Sequence, residues 1–289
     1  MITFDPAKPR GIVWIASYPK SGNTWIRVFL HHLFRMADGR PLEDYDLDSL
    51  SRTSTVAFGR VDLFERFMEK PILESDPVDI AFARPKVQQA MVDEEDRVIF
   101  VKTHSFLGRV FDQPLINRAV SSGAIYIVRN PLDVAVSLQS YLGVSLDSAI
   151  RSMGASLNAS PTVEIRAQEI WGSWTENVGS WTTNSPPVVH VVRYEDLLAD
   201  TRNQFDAIVR HLRLDVTPEQ VEEALALSSF DRLQAQEAAT GFIERPSYSG
   251  QFFRAGKAGQ WRDVLSPEQI DRIVSDHGEQ MSRFGYLPN

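Results

Sequence analysis

Four basic residues, Lys20, Lys102, Arg129 and Arg193, stand at or just after the ends of four separate apolar runs. Cations so placed can grip an anionic ligand. The first lies in SYPKSGNTW (17–25). A glycine in such a turn lets the backbone curl around an anion, and the helix that follows offers N–H groups and a positive dipole end. Lys20 adds a mobile charge, Ser21, Asn23 and Thr24 add hydroxyl and amide donors, and Trp25 offers a flat face to a base. The spacing departs from the G-x-x-x-x-G-K-[ST] of common ATP and GTP loops. A capped turn with a solvent-exposed lysine has the same letters, so this loop alone leaves both readings open.

A second group is VKTHSF (101–106). Lys102 and His104 are two apart, and in an extended chain they face one side. A histidine there can take a proton from a hydroxyl nucleophile near neutral pH; a plain structural histidine is the competing reading, and it is the one adopted for His31 and His32. The third group is IVRNPLDVAVS (127–137). Arg129 precedes a helix start at Asn130-Pro131-Leu132-Asp133, where guanidinium and dipole can meet a second phosphate. Ser137 adds a hydroxyl two turns on. In isolation this is also an ordinary strand-to-helix junction.

The elements that must position these groups follow from hydrophobic pattern. The runs 12–17, 97–102, 124–129 and 188–193, rich in Val and Ile, read as buried parallel strands. Alternation with helical segments predicts an α/β fold with a central parallel sheet and a ligand crevice beyond the strand carboxyl ends. Helices are expected from Asn23 to about Met36, after Asn130, from about Val163 to Trp181, and from the Thr217-Pro218 and Ser266-Pro267 starts. The stripe of Trp171, Trp174, Val178 and Trp181 reads as core packing. The stretches 37–95, 143–161 and 232–265 look less regular, and the last suggests a lid at about 234–261. No repeat or linker divides the chain, so a single domain over 1–289 is expected.

Composition narrows the function. A net charge of −8 argues against nucleic acid or anionic membrane as a partner of the whole surface, so an anionic ligand must be held by local groups. There is no cysteine, which excludes disulfides, thiolate metal sites and thiol nucleophiles. No apolar run spans a bilayer and the N-terminus lacks a signal-peptide pattern, so cytoplasmic residence is expected. No acidic cluster tied to the loop marks a magnesium site, so no metal is expected.

Together the motifs resemble the cytosolic-type sulfotransferases that use 3′-phosphoadenosine 5′-phosphosulfate (PAPS). Tyr18-Pro19-Lys20-Ser21-Gly22-Asn23-Thr24-Trp25 is similar to the family's 5′-phosphosulfate loop, and Lys102-Thr103-His104 to its catalytic K-T-H. Arg129-Asn130 through Asp133 to Val136-Ser137 is similar to the 3′-phosphate motif R-N-x-x-D-x-x-V-S. Tyr194-Glu195-Asp196, Ser228-Ser229-Phe230 and Arg254-Ala255-Gly256-Lys257-Ala258-Gly259-Gln260-Trp261 match later motifs in family order.

The resemblance implies a P-loop-like sulfotransferase fold and sulfuryl transfer to a hydroxyl, with adenosine 3′,5′-bisphosphate (PAP) as product. It gives Lys20, Ser21, Gly22, Asn23 and Thr24 to the 5′-phosphosulfate. Arg129, Ser137, Arg254, Ala255 and Gly256 would hold the 3′-phosphate, and Trp25, Tyr194, Ser228 and Phe230 the adenine. His104 would be the general base, and Lys102 with Lys20 would stabilise the sulfuryl group. Phe82, Phe106, Tyr141 and Phe242 are candidate walls for a small or medium, lipophilic hydroxyl acceptor. The competing readings are a P-loop-type kinase using ATP and a nucleotide-binding protein without catalysis.

Three departures qualify the match. Ala255 stands where the family has lysine, so either one 3′-phosphate contact is missing or Lys257 substitutes for it. Asn23 replaces a threonine, which keeps a donor. The segment WRDVLSPEQ lacks the Thr-Val pair of the animal dimer motif, so the oligomeric state is left open.

Overall fold

A computed structural model describes residues 10–39, 47, 50, 59–183, 188–246 and 250–288. All four expected strands form: β1 (Gly11–Ser17), β2 (Val98–Thr103), β5 (Ser121–Val128) and β6 (Val189–Arg193). They make one sheet in the order β2-β1-β5-β6, and a short antiparallel pair, β3 (Arg109–Val110) and β4 (Gln113–Pro114), stands apart. β1 is central and wholly buried. It pairs in parallel with β2, where Ile15 opposes Lys102, and with β5, where Ser17 opposes Ile127.

The chain divides into two compact units, Met1–Pro19 with Thr55–Ile127 and Ser152–Val191, and Lys20–Ser54 with Val128–Arg151 and Val192–Asn289. The first contains β1, β2 and most of β5. Trp14, fully buried on β1, donates its indole N–H to Ser121 Oγ at 2.8 Å, which satisfies the polar edge of a large core side chain. Helices α2 (Val61–Met68) and α3 (Pro77–Asp93) also belong here. Asp76 starts α3 through a reciprocal capping box with Asp79.

These helices correct the expectation of an irregular 37–95 over its second half; 40–46, 48, 49 and 51–58 lie outside the described residues. The 163–181 helix is corrected too: only α6 (Trp174–Thr182) is helical, and the preceding residues form isolated bridges, Ala159 with Ile170 and Val163 with Arg166. The physical reason is a start signal inside the predicted span. Ser173 accepts from the Glu176 N–H, Glu176 accepts from the Ser173 N–H, and the pair nucleates a new helix there. Trp174 and Trp181 are buried, as core packing requires.

The second unit is mostly helical. It holds α1 (Asn23–Ala37), α4 (Pro131–Leu142), α7 (Tyr194–Ala199), α8 (Thr201–Leu212), α9 (Pro218–Leu227), α10 (Phe230–Thr240) and α11 (Pro267–Arg283). The proline starts hold as read: Asn130 caps α4, and Thr217 and Ser266 form capping boxes on α9 and α11. Trp25 and Phe29 on α1 pack against Phe205 of α8, with ring centroids 5.3 Å and 4.4 Å away. The stretch 232–265 is corrected in its first part, because α10 runs to Thr240 before Gly241 ends it. Leu146–Met153 is likewise helical within 143–161. Burial depresses two histidines of this unit, His32 and His277, to about 4.

Candidate active site

The SYPKSGNTW loop leaves β1 and turns into α1 within five residues. Two of those residues have positive φ, Lys20 at 66° and Gly22 at 101°. Gly22 is required twice over: its φ suits glycine, and a Cβ there would lie 2.6 Å from Tyr194 Cδ2. The Ser21 hydroxyl is fully buried and has no hydrogen-bond partner among the described residues. It lies just before the N-terminus of the 15-residue α1, whose first main-chain N–H groups have no partner within the helix. Lys20 Nζ lies over the rings of Phe252, 3.8 Å from the centroid, and Tyr141, 4.5 Å away.

Arg129 follows β5 and is buried. Its Nη1 donates to the Lys20 carbonyl at 2.8 Å and its Nη2 to the Lys257 carbonyl at 3.0 Å. Its plane stacks over Tyr194 at 4.3 Å, and its Nε–H has no partner among the described residues. Burial pushes the Tyr194 phenol up, and the Arg129 charge partly offsets that. Glu195 holds the next residue, accepting from the Asn130 N–H at 3.0 Å while its other oxygen accepts from Tyr286 O–H at 2.6 Å. Ser137 lies one turn after the buried Asp133 on α4, and Asp133 accepts from the main-chain N–H groups of Gly259 and Trp261.

The other expected donor residues also fall in this unit. Trp25 packs edge-on to Tyr194 at 6.3 Å. Phe230 begins α10 and lies under Gly256, where a Cβ would sit 2.4 Å from its ring; Gly256 has φ 58°, so both space and conformation call for glycine. Arg254 donates to Gln260 Oε1 at 3.0 Å. Ala255 is half-buried beside it. Asn23 and Thr24 are buried in the first turn of α1. The Ser228 hydroxyl is turned back onto the Ala224 carbonyl of its own helix, at 2.8 Å.

The Lys102-Thr103-His104 triplet lies in the first unit. Lys102 and Thr103 end β2 and are buried. His104 Nδ1 lies 2.9 Å from the Ser17 carbonyl and 3.2 Å from Ser17 Oγ. A carbonyl only accepts, so Nδ1 carries the proton and Nε2 carries the lone pair. The main chain of His104 is held at both polar groups. Its N–H donates to Glu169 Oε1 at 2.7 Å, and its carbonyl accepts from Asn177 Nδ2 at 2.8 Å.

Asn177 is in turn fixed by the Tyr126 hydroxyl and the Trp171 carbonyl, each at 2.8 Å. Glu169 also accepts from Thr103 Oγ1 at 3.3 Å. Arg84 is buried nearby, and desolvation pulls its guanidinium down to about 10, partly opposed by the Glu169 charge. No sequence motif singles out Glu169, Asn177 or Tyr126 for this role. Their motif signal is slight, the only trace being that Asn177 and Glu176 share the turn begun by Ser173.

Of the candidate acceptor residues, Tyr141 meets Phe252 edge-on at 6.2 Å. Phe242 is buried in a cluster with Val28, Leu233 and Phe253. In the first unit Phe106 lies over Gly108, and Phe82 is half exposed on α3. Among the described residues, no group of three or more His, Asp or Glu could hold a metal ion, and no helix is long and apolar enough to cross a membrane.

A parallel α/β sheet and a glycine turn between β1 and α1 are the frame in which these motifs stand. The chain belongs to the sulfotransferase domain family, whose pattern matches residues 10–285. It is 28% identical over 168 residues to the 3-alpha-hydroxysteroid sulfotransferase of Cavia porcellus, an alignment covering 57% of each chain. It is 26% identical over 288 residues to sulfotransferase 1E1 of Mus musculus, covering 96% of this chain and 85% of that one. The crystal structure of mouse sulfotransferase SULT7A1 complexed with PAP shares the fold, with a TM-score of 0.60 at 18% identity over 96% of this chain and 86% of that one.

Proposed function

We propose that this protein moves the sulfuryl group of PAPS to the hydroxyl of a small or medium lipophilic acceptor, in the cytoplasm, releasing PAP. The observation that carries the reading is the 2.9 Å contact of His104 Nδ1 with the Ser17 carbonyl, which orients the ring and, in its neutral form, gives the lone pair to Nε2. When bound, PAPS supplies an activated sulfur whose bond to the 5′-phosphate oxygen breaks as the acceptor oxygen attacks. His104 Nε2 takes the acceptor proton, and the imidazolium so formed keeps its Nδ1–H on Ser17. Lys20 and Lys102 stabilise the negative oxygens of the group in transit.

Ser21, with its buried hydroxyl, and the first N–H groups of α1 take the 5′ end of the donor. Arg129, Ser137, Arg254 and the Gly256 main chain take the 3′-phosphate, with the segment to residue 261 closing as a lid. Trp25, Tyr194 and Phe230 border the adenine. PAP in a structural relative and a hydroxysteroid named for a sequence relative support the donor and the acceptor class.

The test is turnover with PAPS and a panel of phenols and alcohols in the presence of a chelator. The expected outcome is one PAP formed per sulfated acceptor. Turnover that requires ATP and magnesium instead would overturn the reading.

A further inference from the structure

Residues 252–261 carry Arg254 and Gly256, and two carboxylates fasten this stretch at its two ends. Glu237, on α10, accepts from the Phe252 N–H at 2.7 Å through Oε1 and from the Phe253 N–H at 2.9 Å through Oε2. Asp133, on α4, accepts from the Gly259 N–H at 2.6 Å through Oδ2 and from the Trp261 N–H at 3.2 Å through Oδ1. The two side chains are 3% and 2% exposed. Burial at that level is tolerable for a carboxylate only where donors satisfy it, and here main-chain N–H groups do so. Gln234 strengthens the first fastening by donating to the Phe253 carbonyl at 2.8 Å.

Between the fastenings, the Lys257 carbonyl accepts from Arg129 Nη2 and from Gln260 Nε2, each at 3.0 Å. Phe230 supports Gly256 from below. Residues 254–258 therefore form a short arch with both feet fixed, and one foot stands on the helix that carries Ser137.

We propose that Asp133 and Glu237 are positioning residues for recognition of the donor's 3′-phosphate: they set the arch so that Arg254 and the Gly256 main chain meet that group. The assignment rests on the PAPS reading above. It also explains the residue type. Both oxygens of each carboxylate accept from an N–H, whereas an amide offers one acceptor and one NH2 group. Asp133→Asn or Glu237→Gln must set a donor against a donor at one contact, in nearly the same volume.

The test compares two ligands on the full-length chain by calorimetry: PAP, and adenosine 5′-phosphate, which lacks the 3′-phosphate. Loss of one buried hydrogen bond in the arch should raise the Kd for PAP about tenfold in either variant. The Kd for adenosine 5′-phosphate should stay within about twofold, because its contacts lie on the SYPKSGNTW loop and the Tyr194 and Phe230 rings, outside residues 254–258. Equal weakening of both ligands would mean general damage and overturn the proposal, as would an unchanged PAP affinity. If D133N does not melt cooperatively, E237Q decides alone, since it loosens the other foot. A wild-type protein that binds the two ligands equally would instead sink the PAPS reading itself.

Discussion

His104 and the 252–261 arch are both held through their main chains by buried acids, and what each fastening leaves available differs. At His104, Glu169 and Asn177 take the N–H and the carbonyl, and the ring is left with one proton on Ser17 and one lone pair at Nε2. At the arch, Glu237 and Asp133 take N–H groups at the feet, and the crown between them remains to meet a ligand. Proton transfer needs one atom fixed in place and in tautomer. Gripping a phosphate needs several donors fixed together, which a loop does only when its ends are tied. The first unit is thus built to present a side chain, and the second to present a stretch of backbone with its arginines.

Substitutions can break this division, and the largest effect belongs to the ring. His104→Ala should lower kcat on the order of 10³-fold while the Kd for PAP changes by no more than a few-fold, measured by steady-state assay and calorimetry. Arg129→Met removes two bonds to main-chain carbonyls and a stacking contact, and should raise the Kd for PAP by about 100-fold. Asn177→Leu leaves the Tyr126 hydroxyl and the His104 and Trp171 carbonyls without their partner. It should cost about 3 kcal/mol in urea denaturation and lower kcat more than it alters PAP affinity.

The smallest effect is on pH dependence. His32 and His277 are held near 4 by burial, against about 6.5 in the unfolded chain. The unfolded state therefore binds protons first as pH falls. Stability should be unaffected by these groups above about pH 6.5 and decline between there and pH 4, with each costing about 2 kcal/mol by pH 5. His277→Phe should flatten the urea midpoint across that window by about half of the two-histidine effect. Both groups lie in the second unit and His104 in the first, so His277→Phe should leave kcat near neutral pH unchanged.

Groups proposed to touch ligands were the legible part of the sequence, because chemistry restricts their type and spacing. Lys20, His104 and Arg129 stand at strand ends, and strand ends are readable from Val and Ile runs. Gly22 and Gly256 were readable as glycines, but the aromatic rings that demand them, Tyr194 and Phe230, were visible only as motif letters. Glu169, Asn177 and Glu237 were not legible as fastenings. A buried Glu that accepts from backbone looks, as a letter, like one on a solvated helix face, and its partners lie 65 and 15 residues away. The 163–181 helix failed for a related reason: the tryptophan stripe has helical spacing, but bridges before Ser173 took the backbone first.

The most direct measurement is a PAPS titration of Arg129→Met beside His104→Ala, with one acceptor held at saturation. The division of labour predicts that the Arg129 variant climbs toward the wild-type kcat as donor rises about 100-fold, since binding energy lost to both ground and transition state is recovered by concentration. The His104 variant should saturate at ordinary donor levels and stay slow. Rescue of His104→Ala by excess PAPS, or an Arg129→Met rate that stays low with an unchanged KM, would contradict the account.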